Sequence, residues 1–387
     1  MLIKPLGRNF FLFVFSGIVF VFIAFPGKTF AQQRKFEVFY PATDVAKEVF
    51  HGFIYEQDTI KHGAYQYFLP NGSLRQQGQF EQNLPVGLWR VFYTDGAIHQ
   101  KINFGKGVRN GEYESYFQHG PLMQKGTYLN GTLHGKFFVY FENGTVESVT
   151  EYSHGLAHGL RIENYPGGTP YIKSEMVQGE EHGLYLQFYE NGSINYRGRK
   201  VQGQFDDTLF VYYQNGRLQR VGFYENGKLN GNYKAFHPSG KDMIVAVYAD
   251  GMLNGPYTEY HNNGVMSQTG QYLNSNKDGF WQSFYPDGNS YTHGKFREGL
   301  FEGMWLVNYP NGRLKQRGAY LYGNASGTWE FFYPTGYLSR RGYYVANKKQ
   351  GPWIYWDESE KMTPVRMVFY SNGRASGPVR IFPPNRD

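Results

Sequence analysis

The chain has 387 residues and no cysteine, so disulfide staples, thiolate metal sites and a lipid-bearing cysteine are excluded. Of its 39 basic residues, Lys4, Arg8 and Lys28 fall in the first 31 positions, which hold no acid; the other 36 face 32 acidic residues, an excess too mild and scattered for a nucleic-acid surface. Aromatic content is the anomaly, with 34 Tyr, 33 Phe and 6 Trp beside 49 Gly.

Residues 1–31 read as a secretory signal peptide: Lys4 and Arg8, an apolar run from Phe10 to Phe25, then Thr29-Phe30-Ala31 before the expected cleavage. The run is 16 residues long, short of the roughly 20 that a membrane-spanning helix needs; a retained anchor is the alternative. The mature chain is expected to be exported, to the periplasm, the cell surface or the medium. Residues 32–62 are expected to be an N-terminal cap or partial repeat, with a unit hinted at only around Val49-Phe50-His51-Gly52.

From Gly63 a glycine recurs every 24 residues: Gly63, Gly87, Gly111, Gly135, Gly159 and Gly183, then Gly231 through Gly351, with Asp207 the one exception. A fixed period of this length marks tandem supersecondary units. Counting each unit from its opening glycine, a second glycine falls at position nine (Gly72, Gly96, Gly144, Gly192, Gly216, Gly264, Gly288, Gly312), usually behind Asn or Asp. Asn-Gly and Asp-Gly between aromatic or aliphatic runs signal a β-hairpin. With Asn311-Gly312 as a two-residue turn, Trp305 faces Gly318, Gly303 faces Tyr320 and Tyr309 faces Leu314. A ring at position two would then lie over a strand glycine at position fifteen of its own unit (Gly78, Gly126, Gly198, Gly222, Gly270, Gly294, Gly318, Gly342), a pairing that fixes register. Position twenty is almost always Gly or Asn, so each linker needs a tight turn with positive φ.

The fold class expected is all-β: an elongated single-layer antiparallel β-meander of about 13 tandem 24-residue hairpin repeats over residues 63–374. Residues 375–387 form a C-terminal half-repeat cap, where Pro383-Pro384 would stop edge pairing. Asp206-Asp207 marks a local kink. One face should collect Trp305, Tyr309, Leu314 and Tyr320 and their equivalents. The other carries the ring at position five and is the most exposed apolar candidate.

The unit Gly-x-Trp-x-x-Phe-Tyr-Pro-x-Gly followed by Gly-x-Tyr-x-x-Gly, as in 279–299 or 327–344, resembles the MORN repeat variant of bacterial proteins, a group that includes YwqK-type antitoxin-like proteins. The resemblance implies a single-layer meander of hairpins and a non-enzymatic role in binding proteins or anionic lipid. It brings no catalytic residues, and an export signal departs from a cytosolic antitoxin.

Chemistry has few footholds. His62, His134, His158 and His182 each precede an opening glycine, but repeats spaced about 9–10 Å apart by strand geometry cannot share one ion at bonds of about 2.0–2.1 Å. Glu180-Glu181 and Asp206-Asp207 lie in linkers as solvated acids, and no phosphate-binding loop occurs. The reading is therefore a non-enzyme without metal or cofactor, an exported scaffold binding a protein or peptide partner through Phe92, Tyr116, Tyr140, Phe188, Tyr212, Tyr260, Phe284 and Phe332. A glycan, a membrane surface or a toxin to be neutralised are the alternative partners.

Overall fold

The computed structural model describes residues 32–359, 361 and 363–383; the expected leader and Pro384 lie outside them. The chain divides into two compact units, the first ending at Gly192 and the second beginning at Ser193. Each is an antiparallel meander without helix among the described residues, strand following strand by short turns.

The unit opening at Gly303 shows the local logic. Strands Leu300–Asn308 and Leu314–Leu321 pair with Gly303 opposite Tyr320 and Trp305 opposite Gly318, as expected. The turn departs from expectation. The ladder shifts by one residue at its end, so Asn308, not Tyr309, faces Leu314. Tyr309 N–H donates to Arg313 O at 2.8 Å and Gly312 N–H to Tyr309 O at 2.9 Å. Of Asn311 and Gly312 only the glycine has positive φ, +80°. This is a type I turn closed by a glycine bulge rather than a two-residue turn. Asn311 serves by its side chain: its Oδ1 accepts the Arg313 N–H at 3.1 Å, a bond repeated at Asn71, Asp95, Asn143, Asn215, Asn263 and Asp287.

The linker takes the two-residue turn instead. Tyr322 and Gly323, at φ +48° and +78°, join Leu321 to its partner Asn324, the two consecutive left-handed residues of a type I′ turn. Gly323 N–H then donates to Phe301 O of the preceding linker at 2.9 Å. The opening glycine has its own use. Arg317 faces Glu330 and Ala319 faces Ser326, so Gly327, Thr328 and Trp329 stand opposite Gly318 alone. That bulge, with Gly327 at φ +78°, swings Trp329 across the neighbouring strand. Asp207 holds the same place at φ +78°, its Oδ1 accepting the Thr208 N–H at 2.6 Å, and the strand breaks beside it between Phe205 and Asp207.

The side chain that covers a position-fifteen glycine, in most cases a ring, therefore comes from the strand of the next repeat. A Cβ on Gly318 would stand 2.1 Å from the Trp329 ring, and one on Gly294 2.3 Å from that of Trp305. The expected Trp305-over-Gly318 cover is corrected by one repeat, because backbone register aligns Cα atoms while the bulge decides which ring crosses over. Gly78, Gly270 and Gly342 are covered likewise by Trp89, Trp281 and Trp353, Gly126 by Phe137, and Gly198 by Leu209. Each indole then donates to the carbonyl just past its glycine, Trp305 to Lys295 O at 2.9 Å and Trp329 to Ala319 O at 3.2 Å. Trp353 is fully buried and Trp305 is 7% exposed. Rings at position seventeen complete the row edge-on, Tyr320 against Trp329 at 5.1 Å and Tyr344 against Trp353 at 5.0 Å.

Tyr309 does not join this face. From the turn its hydroxyl donates to Phe332 O of the next unit at 2.8 Å. Tyr93, Tyr165, Tyr213, Tyr285 and Tyr333 repeat the bond, and the ring nitrogens of His237 and His261 occupy the same place.

Residues 32–62 hold more than a fragment. Arg34–Phe39 and Ala46–Tyr55 form an antiparallel pair, and the strand Asp58–Phe68 continues from it. Phe36 stacks on Phe50 at 5.2 Å and closes the end of a core row running through Tyr65 to Trp89. At the other end Asn372-Gly373 recovers the linker turn after Pro364–Ser371.

Gly318 has ordinary strand dihedrals, so its need is space, whereas Gly312 has nothing near its missing Cβ and its need is φ. Gly318→Val is expected to destabilise by about 1–3 kcal/mol through overpacking against Trp329. Gly312→Ala should cost about 1–2 kcal/mol from the left-handed backbone alone. In chemical denaturation, Trp329→Ala should relieve the first loss and not the second. Equal behaviour of both glycine variants toward Trp329→Ala would refute the cross-repeat cover.

Candidate binding surfaces

Alternation places positions three and five on the face away from the tryptophans. Phe92, Tyr116, Tyr140 and Phe188 lie on that face of the first unit, and Tyr212, Tyr260, Phe284 and Phe332 on that face of the second. The expectation that these rings are the most exposed apolar groups is corrected: all eight are half-buried. Over several of them lies a residue that sequence reading passed over, a cation at position fourteen of the preceding repeat, where Phe92, Tyr260 and Phe284 have Gln77, Val245 and Thr269 instead. Lys101 Nζ stands 4.9 Å from the Tyr116 ring centroid, Lys173 Nζ 5.7 Å from that of Phe188, and the Arg317 guanidinium 5.8 Å from that of Phe332.

The best-developed cluster surrounds Glu114 at position three. Its Oε2 accepts from the Tyr116 hydroxyl at 2.5 Å, while Lys101 and Lys125 flank it at 3.4 Å each. Lys101 Nζ also donates to the Tyr116 hydroxyl oxygen at 2.7 Å. The same design recurs in the second unit, where Arg317 and Arg341 flank Glu330 at 2.5 and 3.4 Å. The Tyr116 hydroxyl, more than any other group, holds the Glu114 carboxyl below the usual range; Lys101 and Lys125 add to it and burial opposes. Burial and the Glu114 hydrogen bond push the Tyr116 phenol up.

More exposed apolar groups lie elsewhere, at the linker edge. Leu84, Val108, Leu129 and Leu156 of the first unit and Leu273, Leu300, Leu321 and Tyr322 of the second flank or form the type I′ turns. Their sequence signal was an aliphatic residue on one side or the other of most linker turns. Met304, 55% exposed, extends this row onto the outer face beside position five. The turn glycines Gly72, Gly96, Gly144, Gly192, Gly216, Gly264, Gly288 and Gly312 all have positive φ. His134, His158 and His182 sit one residue before their opening glycines, and among the described residues no group of three His, Asp or Glu is placed to hold a metal ion.

Four segments, residues 61–82, 133–154, 181–198 and 253–274, match the model of the MORN repeat variant. These four segments are repeats of the MORN variant, and the hairpins between them keep the same period. No curated protein matches it. Among solved structures it is similar to TcdB2-TccC3 without its hypervariable C-terminal region, at 10% identity over 88% of this chain and 21% of that one, TM-score 0.16. It is also similar to the Photorhabdus luminescens Tc holotoxin pore, at 11% identity over 87% of this chain and 22% of that one, TM-score 0.16. The chain spans about a fifth of the length of these structures, and TM-scores this low carry no argument.

Because its folded pKa is depressed, Glu114 stabilises the fold above its unfolded value of about 4.3. That contribution is lost as pH falls through the folded value. The melting temperature of the wild type is expected to exceed that of Glu114→Gln near pH 7, with the gap closing toward about pH 3. A gap independent of pH would show that the carboxylate charge is not what the cluster uses.

Proposed function

We propose that this chain is a non-catalytic repeat scaffold that binds a protein or peptide partner through its outer face. One observation supports the reading above others: a half-buried ring at position five recurs in both units, with a cation at position fourteen above it at Tyr116, Phe188 and Phe332. Each pair offers an apolar edge beside a charge already partly desolvated, which suits a partner carrying apolar and acidic side chains together. Repeats presenting similar contacts side by side accumulate affinity by multivalency. Exposed position-one and linker-edge aliphatics extend that face with apolar area.

The test uses whatever partner is recovered from the envelope fraction on full-length protein. Phe284→Ser alone should weaken capture only severalfold. Tyr260, Phe284 and Phe332 changed together to Ser should abolish it, with the circular dichroism spectrum and melting cooperativity kept. Full capture by a folded triple variant would remove the outer face from consideration.

We also propose export, on the order of charged, apolar and small residues in positions 1–31. Intact mass of the native protein should place its N-terminus near Gln32; intact Met1 in the cytosol would favour the antitoxin-like alternative.

A further inference from the structure

The C-terminal repeats are strongly basic. Residues 313–380 hold eleven Lys and Arg against four Asp and Glu. On the outer face Glu330 takes both Arg317 and Arg341. The tryptophan face has no such acid, because Glu330 is the one Asp or Glu in the strands Asn324–Phe332, Leu338–Val345, Lys348–Trp356 and Pro364–Ser371. Two turn acids are engaged elsewhere, Asp357 with the Thr363 N–H at 3.0 Å and Glu358 with the Thr335 hydroxyl at 2.9 Å.

Backbone register sets one row of the tryptophan face. Gln316 opposes Phe331, Phe331 opposes Arg340, Arg340 opposes Tyr355 and Tyr355 opposes Arg366. Position thirteen, which supplies every second member of this row, is glutamine at Gln76, Gln100, Gln124, Gln268 and Gln316. Arg340 and Arg366 put a charge where those units have a neutral amide. Each guanidinium lies on the ring of the strand before it, Arg340 4.2 Å from the Phe331 centroid and Arg366 4.3 Å from that of Tyr355. A guanidinium laid on a ring spends its face there and keeps its N–H edge for an oxyanion. Both are exposed, and neither has a carboxylate within ion-pair distance among the described residues. Lys349, in the strand between them, adds a third charge with its Nζ 4.3 Å from the Trp353 centroid.

We propose that this row docks an acidic segment of a partner protein in polyproline II conformation, with carboxylates three residues apart. Arg340 and Arg366 stand one repeat apart, two strand spacings or about 9.6 Å. A polyproline II helix advances about 9.3 Å in its three-residue turn, so residues i and i+3 face the same way at nearly that pitch. A β-strand returns to one face every two residues, about 6.7 Å, and an α-helix after seven, about 10.5 Å. Cations stacked on separate rings do not converge on one point, which disfavours a single compact anion such as phosphate. Two spaced forks instead take two spaced carboxylates, each in bidentate fashion. The row lies on the face opposite the position-five rings and does not depend on the reading above.

Fluorescence anisotropy with the full chain and two labelled peptides of identical composition tests it: Glu-Pro-Pro-Glu-Pro-Pro-Glu and Glu-Pro-Glu-Pro-Glu-Pro-Pro. The first is expected to bind about fivefold more tightly, the worth of one surface ion pair, with the advantage shrinking as salt rises. Arg340→Gln and Arg366→Gln install the amide that the row carries in other units, so the fold is kept. Each should weaken the first peptide about fivefold and erase the difference between the two. Four results would each overturn the proposal. They are no saturable binding of the first peptide, equal binding of both, a spacing preference that survives either variant, and sedimentation with phosphatidylglycerol vesicles that the first peptide does not compete.

Discussion

Most of this fold depends on one contact, a large side chain of one repeat laid over a strand glycine of the repeat before it. A single-layer sheet has no second layer to bury its apolar face, so the burial must come from within the sheet. The bulge at the opening glycine supplies it by turning the position-two side chain sideways, over the adjacent strand. Removing the Cβ beneath allows the indole to approach the backbone closely enough for its N–H to reach a carbonyl, which disposes of the ring's polar atom in the same move. The lock joins neighbours, so no repeat completes its own core, the general condition of repeat proteins. At the N-terminal end of the described residues a direct cross-strand stack, Phe36 on Phe50, stands at the head of the row.

Within the chain, the two halves of this contact vary together. Trp89, Trp281, Trp305, Trp329 and Trp353 each follow a glycine at position fifteen of the preceding repeat. Where that place carries a side chain, as at Ile102, Thr150, Ser174 and Ala246, the next position two is Tyr113, Arg161, Tyr185 or Tyr257. Bulk on one side is exchanged for bulk on the other, as close packing requires. Stacking at the two ends is separate and weaker in area but regular: linker glycine N–H groups bond the preceding linker, and turn tyrosines bond the following hairpin. Three independent columns thus fix the rise from one repeat to the next.

Period, strand order and the Trp305–Gly318 backbone register were legible because glycine and the β-turn residues obey local rules. What failed was of two kinds. Asn-Gly was assigned to the tighter turn by propensity, while the linker, with pairs such as Tyr322-Gly323 and Ala346-Asn347, needed positive φ at two residues and took it from less obvious ones. Stacking of successive linkers over-determines that conformation and overrides propensity. The second failure was to treat rings in isolation. Rings such as Tyr116, Phe188 and Phe332 read as exposed until the cation at position fourteen is placed above them, and that residue belongs to a different repeat. Both errors concern contacts between units, which a one-unit template cannot contain.

The division of labour inside the repeat then bears on where function resides. Positions zero, nine and twenty are bound by dihedral constraints, and positions two and fifteen by a volume they share. The position two residues before the opening glycine is free of them and reads Lys61, Pro85, Arg109, Leu133, Lys277, Phe301 and Lys349 in different units. Because that place overlooks the position-two ring, each substitution changes the charge and depth of the tryptophan face without touching the lock. Lys61 is neutralised by Glu48, whereas Lys277 donates to Gln268. The outer face varies likewise, with a cation at position fourteen over some rings and Gln77, Val245 or Thr269 at that place for others. A repeat fold of this design can therefore vary its side chains on either face without a change in the backbone.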